Sequence, residues 1–204
     1  MIDSATAGLL TGLSLIIAIG AQNAYVLRQG ILRAHVPAVV AVCAFSDLVL
    51  ILAGVSGIGA VVDRAPMLLD VVRWFGVVIL LWYAVGALRR ALSTEALSAA
   101  GDGSGVESRG RVVGRAVALT WLNPHVYLDT VLLLGSIAAT HDDVVGGRWW
   151  FAAGAGLASI VWFYGLGFGA RRLAPLLARP RAWQVLEVGI AATMLFVAAK
   201  LALG

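Results

Sequence analysis

Six stretches of mostly apolar residues dominate this chain, and each approaches the ~20 residues that a helix needs to cross a bilayer. They run roughly over Ala5–Leu27, Pro37–Val62, Pro66–Leu88, Ala116–Thr140, Trp149–Ala170 and Ala182–Leu203. Hydrocarbon offers no partner to a backbone N–H or C=O, so apolar segments of this length must satisfy their hydrogen bonds internally, as helices. Composition agrees: 61% of the residues are hydrophobic and 13% are charged, where soluble domains carry roughly 25% charged residues. A core made from 204 residues could not hide that much apolar side chain from water. The sequence therefore predicts an all-α integral membrane protein of about six transmembrane helices, one membrane domain over residues 1–204. The N-terminal Met1-Ile2-Asp3-Ser4 lacks the basic segment of a signal peptide, and the apolar run behind it is too long for one. That run reads as the first membrane helix.

The net charge of +4 does not mark a nucleic-acid binder. The basic residues fall almost entirely in short connectors, with no basic helix face. The first connector carries Arg28 and Arg33, the third Arg89, Arg90, Arg109, Arg111 and Arg115, and the fifth Arg171, Arg172, Arg179 and Arg181. The second and fourth offer only Arg64 and Arg148, beside Asp63, Asp142 and Asp143. Eleven basic residues against two place the odd connectors in the cytoplasm and both termini outside. Trp149, Trp150 and Trp183 sit at helix ends, as interface anchors do. The third connector, about Arg89–Arg115, is the only long one, with a linker-like centre at Ala100-Gly101-Asp102-Gly103-Ser104-Gly105. It separates helices 1–3 (about 5–88) from helices 4–6 (about 116–203). This layout permits a 3+3 inverted repeat. Asn23-Ala24-Tyr25 and Asn123-Pro124-His125 look alike, although their estimated depths are not mirror images. Cys43 is the sole cysteine, which excludes an internal disulfide and a thiol metal cluster. Glycine- and alanine-rich stretches such as Ala53–Gly59 and Ala152–Gly156 read as close-packing surfaces.

Polar groups inside a membrane are costly and by default functional. Gln22 and Asn23 end the first apolar stretch, where two amides beside Gly20 could coordinate a polar ligand or simply join helices. Asp47 follows Ser46 in the second helix, about ten residues past Pro37 and so roughly 15 Å deep. A carboxylate there meets substrate or ions, or is a hydrogen-bonded structural group. The fourth helix carries Asn123-Pro124-His125-Val126-Tyr127-Leu128-Asp129. Pro124 alone among the five prolines falls inside a span. It withholds a donor from the carbonyl of Thr120, which leaves that oxygen for a cation, as in the broken helices of carriers. A packing kink is the plainer alternative. His125 and Asp129 are four apart on one helix face, suited to a proton or an ammonium group, or to a mutually satisfied pair. Glu187, near the start of the last helix, suits the helix dipole. Asp70 and Arg73 form an expected local pair, and no lysine or arginine falls mid-membrane opposite Asp47 or Asp129. The site is thus expected to be net acidic.

These residues resemble the lysine exporter family, especially its lysine and arginine exporter branch. Gly20-Ala21-Gln22-Asn23-Ala24 with Val26-Leu27-Arg28-Gln29-Gly30 looks like the first signature of that branch. Ser46-Asp47 matches its second-helix acid, and Leu122–Thr130 its fourth-helix signature. The threonine and homoserine branches usually carry a proline-glycine-proline type first motif and asparagine-proline-lysine in the fourth helix, and neither is present. The resemblance covers essentially the whole chain. It implies a secondary transporter of a bacterial inner membrane, not an enzyme, that exports L-lysine or L-arginine without a cofactor or bound metal.

The resemblance carries over Asp47 and Asp129 as essential acids. The substrate-binding set expected here is Gln22, Asn23, Asp47, Asn123, Pro124, His125, Tyr127 and Asp129, with Asp47 and Asp129 also coupling protons by antiport. Expected partners are a basic amino acid, protons, the bilayer and, compatibly, a second copy in a homodimer. The competing readings are a carrier of a neutral amino acid or divalent metal, and a structural membrane subunit. Two acids and one histidine are few ligands for an oxygen-rich metal site.

Overall fold

A computed structural model of the chain describes residues 1–17, 20–57, 66–92, 107–123, 126–141, 145–173 and 180–203. Every regular element among them is helical: α1 (Ile2–Ile16), α2 (Ala21–Leu32), α3 (Val36–Val55), α4 (Pro66–Leu92), α5 (Arg109–Trp121), a π-helical segment (Tyr127–Leu133) that runs into α6 (Leu134–Ala139), α7 (Gly147–Gly169) and α8 (Pro180–Leu203). A 3-10 turn, Ala170–Leu173, extends α7.

Among the described residues, α3 and the stretch Gly147–Arg172 are long and apolar enough to cross a membrane, and α1 with α2 counts as a third span if that bent pair is one. The 20 residues of α3 reach roughly 30 Å, the thickness of a bilayer core. A periodic stripe on α4, formed by Val71, Trp74, Phe75, Val78, Leu81, Trp82, Val85 and Leu88, faces outward. Spacing of three and four residues puts these side chains on one face, and an exposed apolar face of that extent suits lipid.

Small residues set the helix packing. A Cβ on Gly8 of α1 would fall on the carbonyl of Phe151, and one on Gly154 of α7 would fall on the carbonyl of Ala5. The two backbones therefore lie in direct contact, as small-residue helix interfaces do. Gly54 of α3 meets the carbonyls of Thr130 and Val131 in the same way, and Gly135 of α6 meets Gly54. Lower on α3, the Trp121 indole donates to Ser46 Oγ at 3.0 Å. Residue numbers thus rise together along α3 and the α5–α6 span, so the two run parallel. The main core gathers Val39, Val40 and Cys43 of α3 with Leu80 and Tyr83 of α4, Leu119 of α5, Phe163 of α7 and Met194 of α8.

Two helices differ from the sequence expectation. The first, read as continuous over Ala5–Leu27, divides after Ile16 into α1 and α2, which meet at 82°. Gly20 is extended at the start of α2, and Asn23 Nδ2 donates to the carbonyl of Ile16 at 2.6 Å. That bond satisfies a carbonyl exposed by the break. The fourth helix begins at Arg109 rather than Ala116. Its first two turns carry Arg111 and Arg115, and Arg115 is held by Glu107 at 2.5 Å. Charged residues end an apolar block without ending a helix. The centre of the third connector and the Asp63, Arg64, Asp142, Asp143 and Arg179 positions lie outside the described residues, as do the side chains of Asp70, Arg73 and Trp183.

Between α2 and α3, Arg33 and His35 both take left-handed conformations, with φ of 53° and 52°. Arg33 closes α2 by donating its N–H to the carbonyls of Gln29 and Gly30. Pro37 stands in the first turn of α3, where a missing N–H costs little.

Candidate functional site

The discontinuity after Ile16 and the one after Trp121 face the same cavity of about 280 Å³. This is near the lower end of the usual ~300–1,000 Å³ for small-molecule sites. Gly20, Ala21, Gln22 and Asn23 line it from the first break, and Asn123, Val126, Asp129 and Thr130 from the second. Asp47 and Ile51 enter from α3, Ala155 and Ser159 from α7, and Phe196, Val197 and Lys200 from α8.

Asp47 is the deepest charge in the cavity. It stands 11 residues into α3, roughly 16 Å along its axis, and is 7% exposed. Ser159 of α7 donates its hydroxyl to Asp47 Oδ2 at 2.8 Å. Asp129 lies on the π-helical segment, lines the cavity and is exposed. A π-helical turn widens the helix and often marks a working site.

The amides around these acids differ in role. Asn23 holds the first break together: besides its bond to Ile16, its Oδ1 accepts from the Trp162 indole of α7 at 3.2 Å. Gln22 Nε2 is buried beside the Cys43 thiol and has no other hydrogen-bond partner among the described residues. It stands at the beginning of α2, where the first backbone N–H groups lack intrahelical acceptors and the helix end is partly positive. Gly20 supplies no side-chain cap there. Asn123 is buried at the second break and lines the cavity.

Of the eight expected binding residues, the cavity brings together Gln22, Asn23, Asp47, Asn123 and Asp129. Tyr127 does not line it, and its hydroxyl instead donates to the carbonyl of Trp121 at 2.7 Å, spanning the second break. Pro124 and His125 lie outside the described residues. The Thr120 carbonyl, expected to be left open, accepts a long bond of 3.4 Å from the N–H of Asn123. It does not line the cavity, because Thr120 is fully buried in the packed part of α5.

Sequence reasoning missed three contributors. Ser159 and Trp162 stand one turn apart in α7 and reach the two polar anchors Asp47 and Asn23. A serine in a stretch otherwise apolar was the available signal. Lys200, near the end of α8, also lines the cavity. Lys200 is exposed and in the last turn of α8, so with Asp47 and Asp129 the described lining stays net acidic; a long lysine stem carries its ammonium well away from its own backbone position. Glu187, expected to serve the dipole of α8, is fully buried and paired with Arg28 Nε of α2 at 2.7 Å. Arg28 itself lies inside α2 rather than in a connector. Among the described residues, no three His, Cys, Asp or Glu side chains group as a metal site.

Comparison with known proteins identifies the family. The family model described as LysE type translocator matches residues 13–204. The chain is 40% identical to the lysine exporter LysE of Corynebacterium efficiens, covering 96% of both chains. It is 43% identical to the arginine exporter protein ArgO of Yersinia enterocolitica, over 96% of this chain and 94% of that one. A putative amino-acid transporter of Mycobacterium tuberculosis is 45% identical over 91% of this chain and 90% of its own. No solved structure matches the chain. A family match from Leu13 to the last residue, over the very helices whose breaks form the cavity, makes this chain a member of the LysE-type translocators.

Proposed function

We propose that this chain exports basic amino acids, lysine or arginine, from the cytoplasm through the cavity between the two helix breaks. The observation that carries this reading is the pair of carboxylates, Asp47 and Asp129, facing one cavity of amino-acid size. Relatives named as lysine and arginine exporters cover nearly the whole chain, which supports the same substrate class.

The cavity offers complementary ends to such a substrate. The α-carboxylate goes to the start of α2, where Gln22 Nε2 and the first N–H groups supply donors. The side-chain ammonium or guanidinium goes to Asp47 and Asp129, with Asn123 assisting. Broken helices that present helix ends and carbonyls at mid-membrane are a recurrent carrier solution.

Lysine and arginine carry a net charge of +1. Expelling one from a negative interior costs roughly 2.3 kcal/mol per 100 mV. Exchange for one proton cancels that electrical cost, and Asp47 and Asp129 are the groups that alternate between substrate and proton. The reading takes six spans, both termini outside, and halves of three helices related by an inverted repeat. The parallel course of α3 and the α5–α6 span supports this, since second and fourth spans must cross in the same direction. Residues 1–204 act as one domain, as a monomer or a homodimer, in a bacterial inner membrane and without enzymatic turnover.

The test is efflux from liposomes loaded with radiolabelled arginine or lysine, with and without an inward proton gradient. Wild type is expected to show gradient-stimulated efflux. Asp47→Asn and Asp129→Asn are each expected to lose at least about tenfold, the scale of one charge-assisted contact. Efflux indifferent to the gradient removes antiport, and undiminished efflux in both variants removes the acids from the mechanism. A folded, correctly inserted chain that moves neither amino acid returns the choice to another solute or a structural subunit.

A further inference from the structure

A second cleft, of about 110 Å³, lies apart from the substrate cavity, between α4 and α5. Trp82, Tyr83, Gly86 and Arg89 line it from α4, and Arg115 from α5. Residues 82, 86 and 89 share one face of α4 by their spacing. The Arg115 guanidinium carbon sits 6.0 Å from the Trp82 ring centroid and 5.8 Å from that of Tyr83. Such placement over aromatic faces holds a guanidinium in a defined plane. Its Nη1 is taken by Glu107 at 2.5 Å, whereas its Nε is buried without a hydrogen-bond partner among the described residues. Two arginines and one glutamate leave the cleft net positive, with an unspent donor buried in its wall.

We propose that this cleft binds the phosphate of an anionic lipid headgroup. The charge and the unspent Arg115 donor call for an anion, and a phosphate oxygen is a strong acceptor for a guanidinium. The position selects a lipid. The cleft stands at the end of the outward apolar stripe of α4, so acyl chains can lie along Val78, Leu81 and Val85 while the headgroup meets Arg89 and Arg115. Basic pockets between membrane helices are a known setting for anionic headgroups. On the proposed topology the site lies on the side of the bilayer that the basic connectors share. A bound lipid there joins α4 to α5, the helices that flank the long third connector.

Native mass spectrometry of the purified chain tests this, with phosphatidylglycerol and phosphatidylcholine of the same acyl composition as probes. Arg89→Gln leaves the Arg115–Glu107 pair in place, and Arg115→Gln is the second variant. The expected result is preferential retention of phosphatidylglycerol by wild type. In Arg89→Gln that preference falls about fivefold, the equivalent of ~1 kcal/mol per surface arginine. Equal retention of the two lipids overturns the proposal, as does a preference unchanged in both variants. In a parallel arm, inorganic phosphate is not expected to raise the unfolding temperature. A rise as large as that given by phosphatidylglycerol assigns the cleft to a soluble anion and overturns the lipid.

Discussion

The Arg28–Glu187 pair ties the helix that opens at the cavity, α2, to the helix that carries Lys200, α8, and its removal has a calculable cost. Glu187 is 0% exposed, the Arg28 side chain is 12% exposed, and Nε stands 2.7 Å from Oε1. Arg28→Met keeps most of the stem and takes this partner from a carboxylate in a dry interior. Breaking a buried pair from one side costs about 3–5 kcal/mol. At ~2–4 °C per kcal/mol for a chain of this length on the soluble-domain scale, unfolding should fall by roughly 6–20 °C. Glu187→Leu should cost less, because Arg28 keeps some access to solvent or headgroups. The double variant Arg28→Met/Glu187→Leu should recover most of the loss, since apolar replacement of a whole buried pair is often neutral. Both groups make other interactions, so the informative quantity is the coupling in the double-mutant cycle, which isolates their mutual share. Circular dichroism during heating in detergent reads all four proteins. Arg28→Met within about 0.5 kcal/mol of wild type, or a double variant as unstable as the sum of the singles, would refute the reasoning.

Three further outcomes follow from the geometry. Ser159→Ala removes the hydroxyl that donates to Asp47 at 2.8 Å; transport should drop by about tenfold, matching the ~1.5 kcal/mol or more of a bond to a charged acceptor, and unchanged efflux kinetics would show that Asp47 needs no such support. Lys200→Gln removes the one cation identified on the described cavity wall, so arginine should bind severalfold more tightly by calorimetry; weaker binding would mean that Lys200 holds the substrate carboxylate instead. Gly154→Ala drives a methyl into the carbonyl of Ala5, while Gly165 faces open space; the first change should destabilise by about 1–3 kcal/mol and Gly165→Ala should be neutral or stabilising by up to ~1 kcal/mol, with equal stabilities counting against the close α1–α7 contact.

Long apolar blocks made the helices legible, because hydrocarbon leaves the backbone few alternatives. Asp47 was legible for the same reason, as a charge with no lipid-facing role. The break between α1 and α2 was not. Gly20 hinted at it, but the bend depends on Asn23 reaching back to Ile16 and on Trp162 arriving from α7. Such contacts span up to 139 residues and leave no local pattern. Arg28 and Arg115 were misplaced by one shared habit of reading, in which a basic residue marks the end of a span, and Lys200 was passed over inside the last one. Each belongs to a helix, and each long side chain finds its place through space: against Glu187, over Trp82 and Tyr83, and into the cavity.

Calorimetric binding to the purified chain tests the central claim most directly, with arginine, lysine and citrulline as ligands. Citrulline keeps the length and α-groups of arginine and replaces its guanidinium with a neutral urea. If Asp47 and Asp129 recognise the side-chain cation, arginine and lysine bind, citrulline does not bind measurably, and Asp47→Asn weakens arginine at least about tenfold. Citrulline binding as tightly as arginine, or wild-type arginine affinity in both Asp47→Asn and Asp129→Asn, would contradict the account.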